Sequence, residues 1–257
     1  MKELLKLIYC EFQKLKRRRF IAMSMGAAFL FPIPILFLAI RQAQPFYMLF
    51  RMVFIFGEIL FLPCVLGILS SMIFLPETEN NVLKNLLTIP VSKAKIFLSK
   101  CITLMILSII YCLLELSISI AASCFVGGGM PLTSFLCFSI LSGIFMFAAS
   151  LPIIIFVAAF GENFTISNIV SFIYSVACFS LVYLCLGQGG EALLKSRAAV
   201  LPVVTVFKWY LGYFPLESRL EKYLPYLISN AGIMTYMLSF SLILLSLGAV
   251  IYQKKEV

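Results

Sequence analysis

The sequence contains no histidine and no aspartate; all 11 of its acidic residues are glutamate. Those absences exclude HExxH zinc sites, Ser-His-Asp and Cys-His nucleophile systems, and paired-aspartate catalysis. No GxxxxGK[ST] stretch is present either, so the chain carries no phosphate-cradling loop and no ATPase site of its own. Charge is scarce, at 12% of residues, and a single tryptophan stands beside 25 phenylalanines and 11 tyrosines. The cysteines (Cys10, Cys64, Cys101, Cys112, Cys124, Cys137, Cys178 and Cys185) show no CxxC spacing. Most fall inside apolar runs, where a free thiol behaves as a small hydrophobe.

What is abundant is apolar surface. Hydrophobic residues make up 62% of the 257 positions and the mean hydropathy is +1.07, more than a water-soluble fold of this length hides. Six runs are long enough, at about 1.5 Å per residue, to cross a hydrocarbon core of roughly 30 Å. They lie near 20–40, 52–75, 97–123, 132–159, 164–187 and 231–252. The expected fold is an all-α membrane protein forming one transmembrane domain over 1–257.

Ahead of the first run, residues 1–19 place Met1, Leu4, Leu5, Ile8, Phe12 and Leu15 on one helical face, with Lys2, Lys6, Gln13, Lys16 and Arg17 on the other. A basic amphipathic helix of this kind lies in the headgroup plane, and no cleavage pattern follows it. With the N-terminus inside, 13 lysines and arginines fall on the cytoplasmic side and seven outside, five of those in one long loop. The positive-inside bias therefore predicts both termini in the cytoplasm.

The long loop, 188–230, is half apolar. Pro202, Lys208 and Gly212 interrupt it, and a seventh crossing would reverse the C-terminal end "YQKKEV". Trp209, Tyr210, Tyr213, Tyr223 and Tyr226 suit an interfacial belt. Short external helices dipping into the outer leaflet are expected here.

Between the second and third runs, residues 77–90 read as a short amphipathic helix. Val82, Leu83, Leu86 and Leu87 recur at i, i+1, i+4 and i+5, with Pro76 tolerable in its first turn and Pro90 ending it. A helix of about three turns cannot span. It sits at the cytoplasmic side with one face free for another protein or for the membrane surface.

The string "NNVLKNLLTIPVSKAKIFLSK", preceded by Glu77 and Glu79, resembles the permease subunits of ABC-2 type exporters, in particular bacitracin and lantibiotic self-protection transporters and exporters of amphipathic peptide toxins. The "ELLKLIYCEFQKLKRRRF" opening, the six spans and the long external segment extend the resemblance along the chain. Val82 stands where Thr or Gly is more usual. The resemblance implies a bacterial cell-membrane permease paired with a second permease, identical or not, and with separate ATP-binding subunits that carry the ATP and Mg. The expected partners are these subunits, a peptide substrate and the bilayer, with no nucleic acid and no cofactor in this chain. Residues 77–90 then correspond to a coupling helix, with Glu77, Glu79, Leu83, Lys84, Leu86 and Leu87 meeting the ATPase.

Two glutamates fall inside spans, where an ionisable group calls for a partner or a purpose. Counted from the shared cytoplasmic ends, Glu58 and Glu115 reach nearly the same depth, near the outer boundary, and Arg51 lies on about the same face as Glu58. Either Glu58 snorkels or pairs with Arg51, or Arg51, Glu58 and Glu115 supply charge at an external mouth that favours cationic peptides. Alternatives of other classes are weaker. A proton-coupled carrier predicts acids at the midplane and an inverted repeat; an intramembrane enzyme predicts a polar catalytic pair that no spacing suggests. Within the exporter class, lipid or small-drug efflux is the second expectation.

Overall fold

A computed structural model of the chain describes residues 2–16, 19–42, 45–79, 92–126, 131–161, 163–187, 190–213 and 221–254. Among them there is no strand. The helices are α1 (Lys2–Lys16), α2 (Arg19–Leu30), α3 (Pro32–Arg41), α4 (Phe46–Val53), a π-helical stretch (Phe54–Phe61), α5 (Leu62–Glu79), α6 (Lys93–Val126), α7 (Leu132–Phe160), α8 (Phe164–Leu186), α9 (Gly190–Lys195), α10 (Pro202–Leu211) and α11 (Asn230–Lys254). Two 3-10 turns, Arg197–Val200 and Glu221–Tyr226, complete the segment before α11.

Six segments are long and apolar enough to cross a membrane: Arg19–Leu38, Phe46–Pro76, Lys93–Ala121, Leu132–Phe160, Phe164–Leu186 and Asn230–Lys254. The second begins six residues earlier than the hydropathy run. Pro45, extended at φ −66° and ψ 151°, sets the start of α4, and Phe46, Leu49, Phe50 and Val53 then bury one face at i, i+3, i+4 and i+7. The first segment is interrupted at Phe31 because Pro32 and Pro34 supply no N–H to continue the ladder.

Burial sorts the spans. The apolar windows of the second, third and fourth are 61%, 56% and 67% buried, against 17% for the first and last and 28% for the fifth. The stretch from α4 through α5, with α6 and α7, therefore forms the centre, and α2–α3, α8 and α11 form the perimeter. Lipid offers helices no hydrophobic drive to associate, so close backbone approach and interhelical hydrogen bonds carry the contact. Ser108 Oγ donates to the Gly143 carbonyl at 2.8 Å, Ser71 Oγ to Asn168 Oδ1 at 2.9 Å, and Ser175 Oγ to the Leu60 carbonyl. A Cβ on Gly143 would stand 2.7 Å from the Ile109 Cα.

At one end of the bundle, here the capped end, α9, α10 and the two 3-10 turns cover α7 and α8. The aromatic residues expected in an interfacial belt are mostly buried instead: Trp209, Tyr210 and Tyr223 are each 1% exposed. Tyr210 stacks on Phe54 at 4.1 Å and Trp209 on Phe138 at 4.9 Å. The polar tips of Trp209 and Tyr223 are satisfied from within, Trp209 Nε1 by Asn230 Oδ1 at 2.8 Å and Tyr223 by the Cys185 carbonyl at 2.6 Å. Burial of α10 lowers the Lys208 pKa and raises that of Tyr210, with Arg51 opposing the latter.

The Gly143 contact yields a prediction. Gly143→Val forces a methyl into the α6 backbone, which cannot yield, and is expected to cost about 1–3 kcal/mol. The thermal unfolding midpoint of the detergent-purified protein should fall, whereas the same change at Gly26, where an added Cβ meets nothing within 4 Å, should leave it nearly unmoved.

Candidate functional site

At the end opposite the cap, the basal end, α1 packs along the start of α6. Its covered side keeps Leu4, Ile8, Phe12 and Leu15 of the face read by hydropathy but is turned to take in Glu11. Leu15 is buried, but Leu5 is 65% exposed, and Glu11 is only 6% exposed. Glu11 explains the rotation: Lys14 Nζ meets its Oε1 at 2.9 Å and Lys100 Nζ meets the same oxygen at 3.4 Å. Lys100 has no exposed surface. Its ammonium also donates to the Ile73 carbonyl of α5 at 3.0 Å and lies 5.5 Å from the Phe74 ring centre. A second pair, Lys95 to Glu3 at 2.9 Å, ties the first turn of α1 to α6 and lowers the Glu3 pKa; both partners are largely exposed, so it contributes little.

Lys100 thus joins α1, α5 and α6 at one point. The reason lies partly in Pro76, which does not open a new helix as expected but sits inside α5, which runs on to Glu79. A proline within a helix removes a backbone donor and disturbs the carbonyls of the preceding turn. The Ile73 carbonyl, three residues back, takes its hydrogen bond from Lys100. Glu77 and Glu79 lie in the last turn of α5; their side chains, and all of Leu83, Lys84, Leu86 and Leu87, lie outside the described residues. What is placed is the pair of helix ends from which that segment leaves and to which it returns, Glu79 and Lys93.

The second polar locus is deep in the bundle. Glu58 and Glu115 have no exposed surface. They do not line an open mouth in this chain; they face one another across the π-helical stretch. Gly57 makes the approach possible, since an added Cβ there would overlap the Glu115 carboxyl. Ser142 Oγ donates to Glu58 Oε1 at 3.2 Å, and Cys112 also hydrogen-bonds Glu58. Arg51 is placed over the Tyr47 ring, 5.9 Å from its centre, and acts on the Tyr210 hydroxyl.

The sequence reading singled out both glutamates but not Gly57, Cys112 or Ser142, which complete their surroundings. It also assigned no role to Glu11, although an acid at the edge of the apolar face of a basic helix is a signal that could have been followed. Among the described residues no group of three or more Cys and Glu side chains is arranged to hold a metal ion.

The junction makes its own prediction. Removing one partner of a buried ion pair costs about 3–5 kcal/mol, and Lys14 still attends Glu11, so Lys100→Met should fall at the low end of that range. Adding Glu11→Gln to Lys100→Met should recover part of the loss, as read by the thermal unfolding midpoints in a double-mutant cycle.

A family model described as "ABC-2 family transporter protein" matches residues 7–178, about two thirds of the chain. The match covers most of α1, the basal junction and both buried glutamates. No curated protein matches the chain.

Proposed function

Because the chain belongs to the ABC-2 family of transporter proteins, the membrane components of ABC transporters that pair with ATP-binding subunits, we propose that it is the permease of a bacterial exporter of cationic amphipathic peptides. In this reading two permeases, copies or close relatives, stand over two ATP-binding subunits that hold the ATP and Mg. The termini and the basal end face the cytoplasm. Residues 77–90 seat in the ATPase, with Leu83, Leu86 and Leu87 filling an apolar cleft and Glu77, Glu79 and Lys84 setting register at its rim.

The observation that carries the reading is the Lys100 junction. A push delivered between Glu79 and Lys93 does work on the membrane domain only if the helix ends on either side move together. Lys100 holds α5, α6 and α1 at one point, 3.0 Å from the Ile73 carbonyl and 3.4 Å from Glu11. The force therefore enters a clamped unit rather than a loose loop. The peptide substrate rests on the likeness of the 77–100 string to peptide-toxin and lantibiotic exporters and on the acidic pair inside the spans.

The test is co-expression with a candidate ABC ATP-binding subunit from the same organism. Leu83→Ser, Leu86→Ser and Leu87→Ser together should abolish co-purification of the two subunits while leaving the permease folded. With the intact complex in vesicles, a basic amphipathic peptide should raise ATP hydrolysis several-fold. Stimulation by phospholipid or by small apolar drugs, with no response to peptide, would favour lipid or drug efflux instead.

A further inference from the structure

Three carboxyl oxygens in the centre of the bundle, Glu58 Oε2 and both oxygens of Glu115, have no hydrogen-bond partner among the described residues. Buried polar atoms are almost always satisfied, and an exception points to a missing ligand, ion or water. Glu115 is unpartnered, without exposed surface, and aimed at Gly57, into the locus already formed by Glu58, Ser142 and Cys112. One turn along the same helix, the Ser119 hydroxyl is also buried and unpartnered. Two carboxylates this close in a water-poor interior repel one another and attract a cation.

A cleft leads toward them from the perimeter. It opens between α2 and α5 with a volume of about 420 Å³, within the range of small-molecule sites. Leu30, Phe31 and Phe61 give it apolar walls, and the buried Ser24 and Tyr111 line its inner side. Leu30 is 60% and Phe61 41% exposed on the outer surface of the bundle, so the cleft faces what surrounds the spans. Tyr111 precedes Glu115 by four residues on α6, and Phe61 follows Glu58 by three on the π-helical stretch. These helices run antiparallel, so both steps lead the same way, and about one turn separates the back of the cleft from the carboxyls.

We propose that Glu58 and Glu115 bind the primary ammonium group of an amphiphile whose apolar part occupies the cleft between α2 and α5, entered sideways from the bilayer. An ammonium presents three N–H donors, equal in number to the unpartnered carboxyl oxygens. A divalent metal needs further ligands, and no such group exists among the described residues. Tyr111, buried and one turn from Glu115 on α6, must turn aside for the ammonium to pass. That this amphiphile is the exported cargo rests on the export reading above; the binding itself does not.

Binding is tested on the purified permease in neutral-lipid nanodiscs, without any ATP-binding subunit. Dodecylammonium chloride should bind and raise the thermal unfolding midpoint by several degrees, and dodecanol at equal concentration should not. Glu58→Gln with Glu115→Gln should abolish the difference between the two probes. Ala27→Trp, which fills the cleft and leaves both carboxyls in place, should weaken dodecylammonium binding at least tenfold and carries the test if the glutamine variant does not fold. Equal effects of dodecanol and dodecylammonium, a shift that survives both sets of substitutions, or the full shift from NaCl or KCl alone would overturn the proposal. Failure of the permease to bind an ATPase would sink the export reading and leave this result standing.

Discussion

The arrangement of the basal end depends on one ammonium group kept from solvent. Burying a charge in an apolar bundle is tolerable only where opposite charge and hydrogen-bond acceptors come with it, and Lys100 finds both, Glu11 from α1 and the Ile73 carbonyl from α5. Each of these partners has its own reason to be there. Pro76 disturbs the hydrogen-bond ladder of the preceding turn, and Glu11 requires a cation because it faces inward. The result is a contact among three helices far apart in the chain, with residue separations of 89 and 27. No apolar packing between the same helices would fix their axial register so tightly, since methyl groups slide past one another and an ammonium between two oxygens does not.

The opposite requirement governs the buried carboxyls. There the chain supplies acceptors and leaves them unmet, and the backbone has been reshaped to do so. Eight residues take π-helical geometry around Gly57, a form that is rare and concentrated where function demands an altered side-chain direction. Gly57 removes the one Cβ that would keep Glu115 away. A bundle selected only for stability would place an aliphatic residue at either glutamate; Ile59 and Leu116, the next residues in the chain, are fully buried and ordinary.

Much of this architecture was legible from hydropathy, because a bilayer allows few spanning forms and long apolar runs declare themselves. The six spans agree with the runs to within a few residues except at the second. Arg51 made "PFYMLFRM" look like a boundary, yet Tyr47 and Tyr210 accept the guanidinium and α4 continues inward from Pro45. Trp209 and Tyr210 have the composition of an interfacial belt, and only tertiary contact with Phe54 and Phe138 shows them packed inside. The apolar face of α1 was read correctly at Leu4, Ile8, Phe12 and Leu15, but the buried acid at its edge, Glu11, was not, because the buried lysine it meets is 89 residues away. Depth along a span was readable from counting, and it put Glu58 and Glu115 level with each other. Enclosure was not, because it depends on which neighbours close over a residue.

The same two helices carry both polar loci, and their spacing gives the bundle a lever. From Lys100 to Glu115 on α6 is 15 residues, and from Ile73 to Glu58 along α5 and the π-helical stretch is also 15, each roughly 20 Å. With the basal ends pinned together, α5 and α6 cannot slide relative to one another at Lys100. A rotation about that point, however, is greatest at the far end, where the carboxyls meet. In the export reading proposed above, a push transmitted to the ends of α5 and α6 at Glu79 and Lys93 would change the Glu58 to Glu115 distance more than anything near the pin. A cation held between two carboxylates is sensitive to their separation, because the attraction of each falls with distance and the ammonium reaches both only when they are close. On the binding proposed above, opening the pair by a few ångströms would weaken its hold on the ammonium. On that reading the rigid junction and the unsatisfied acids are two ends of one device.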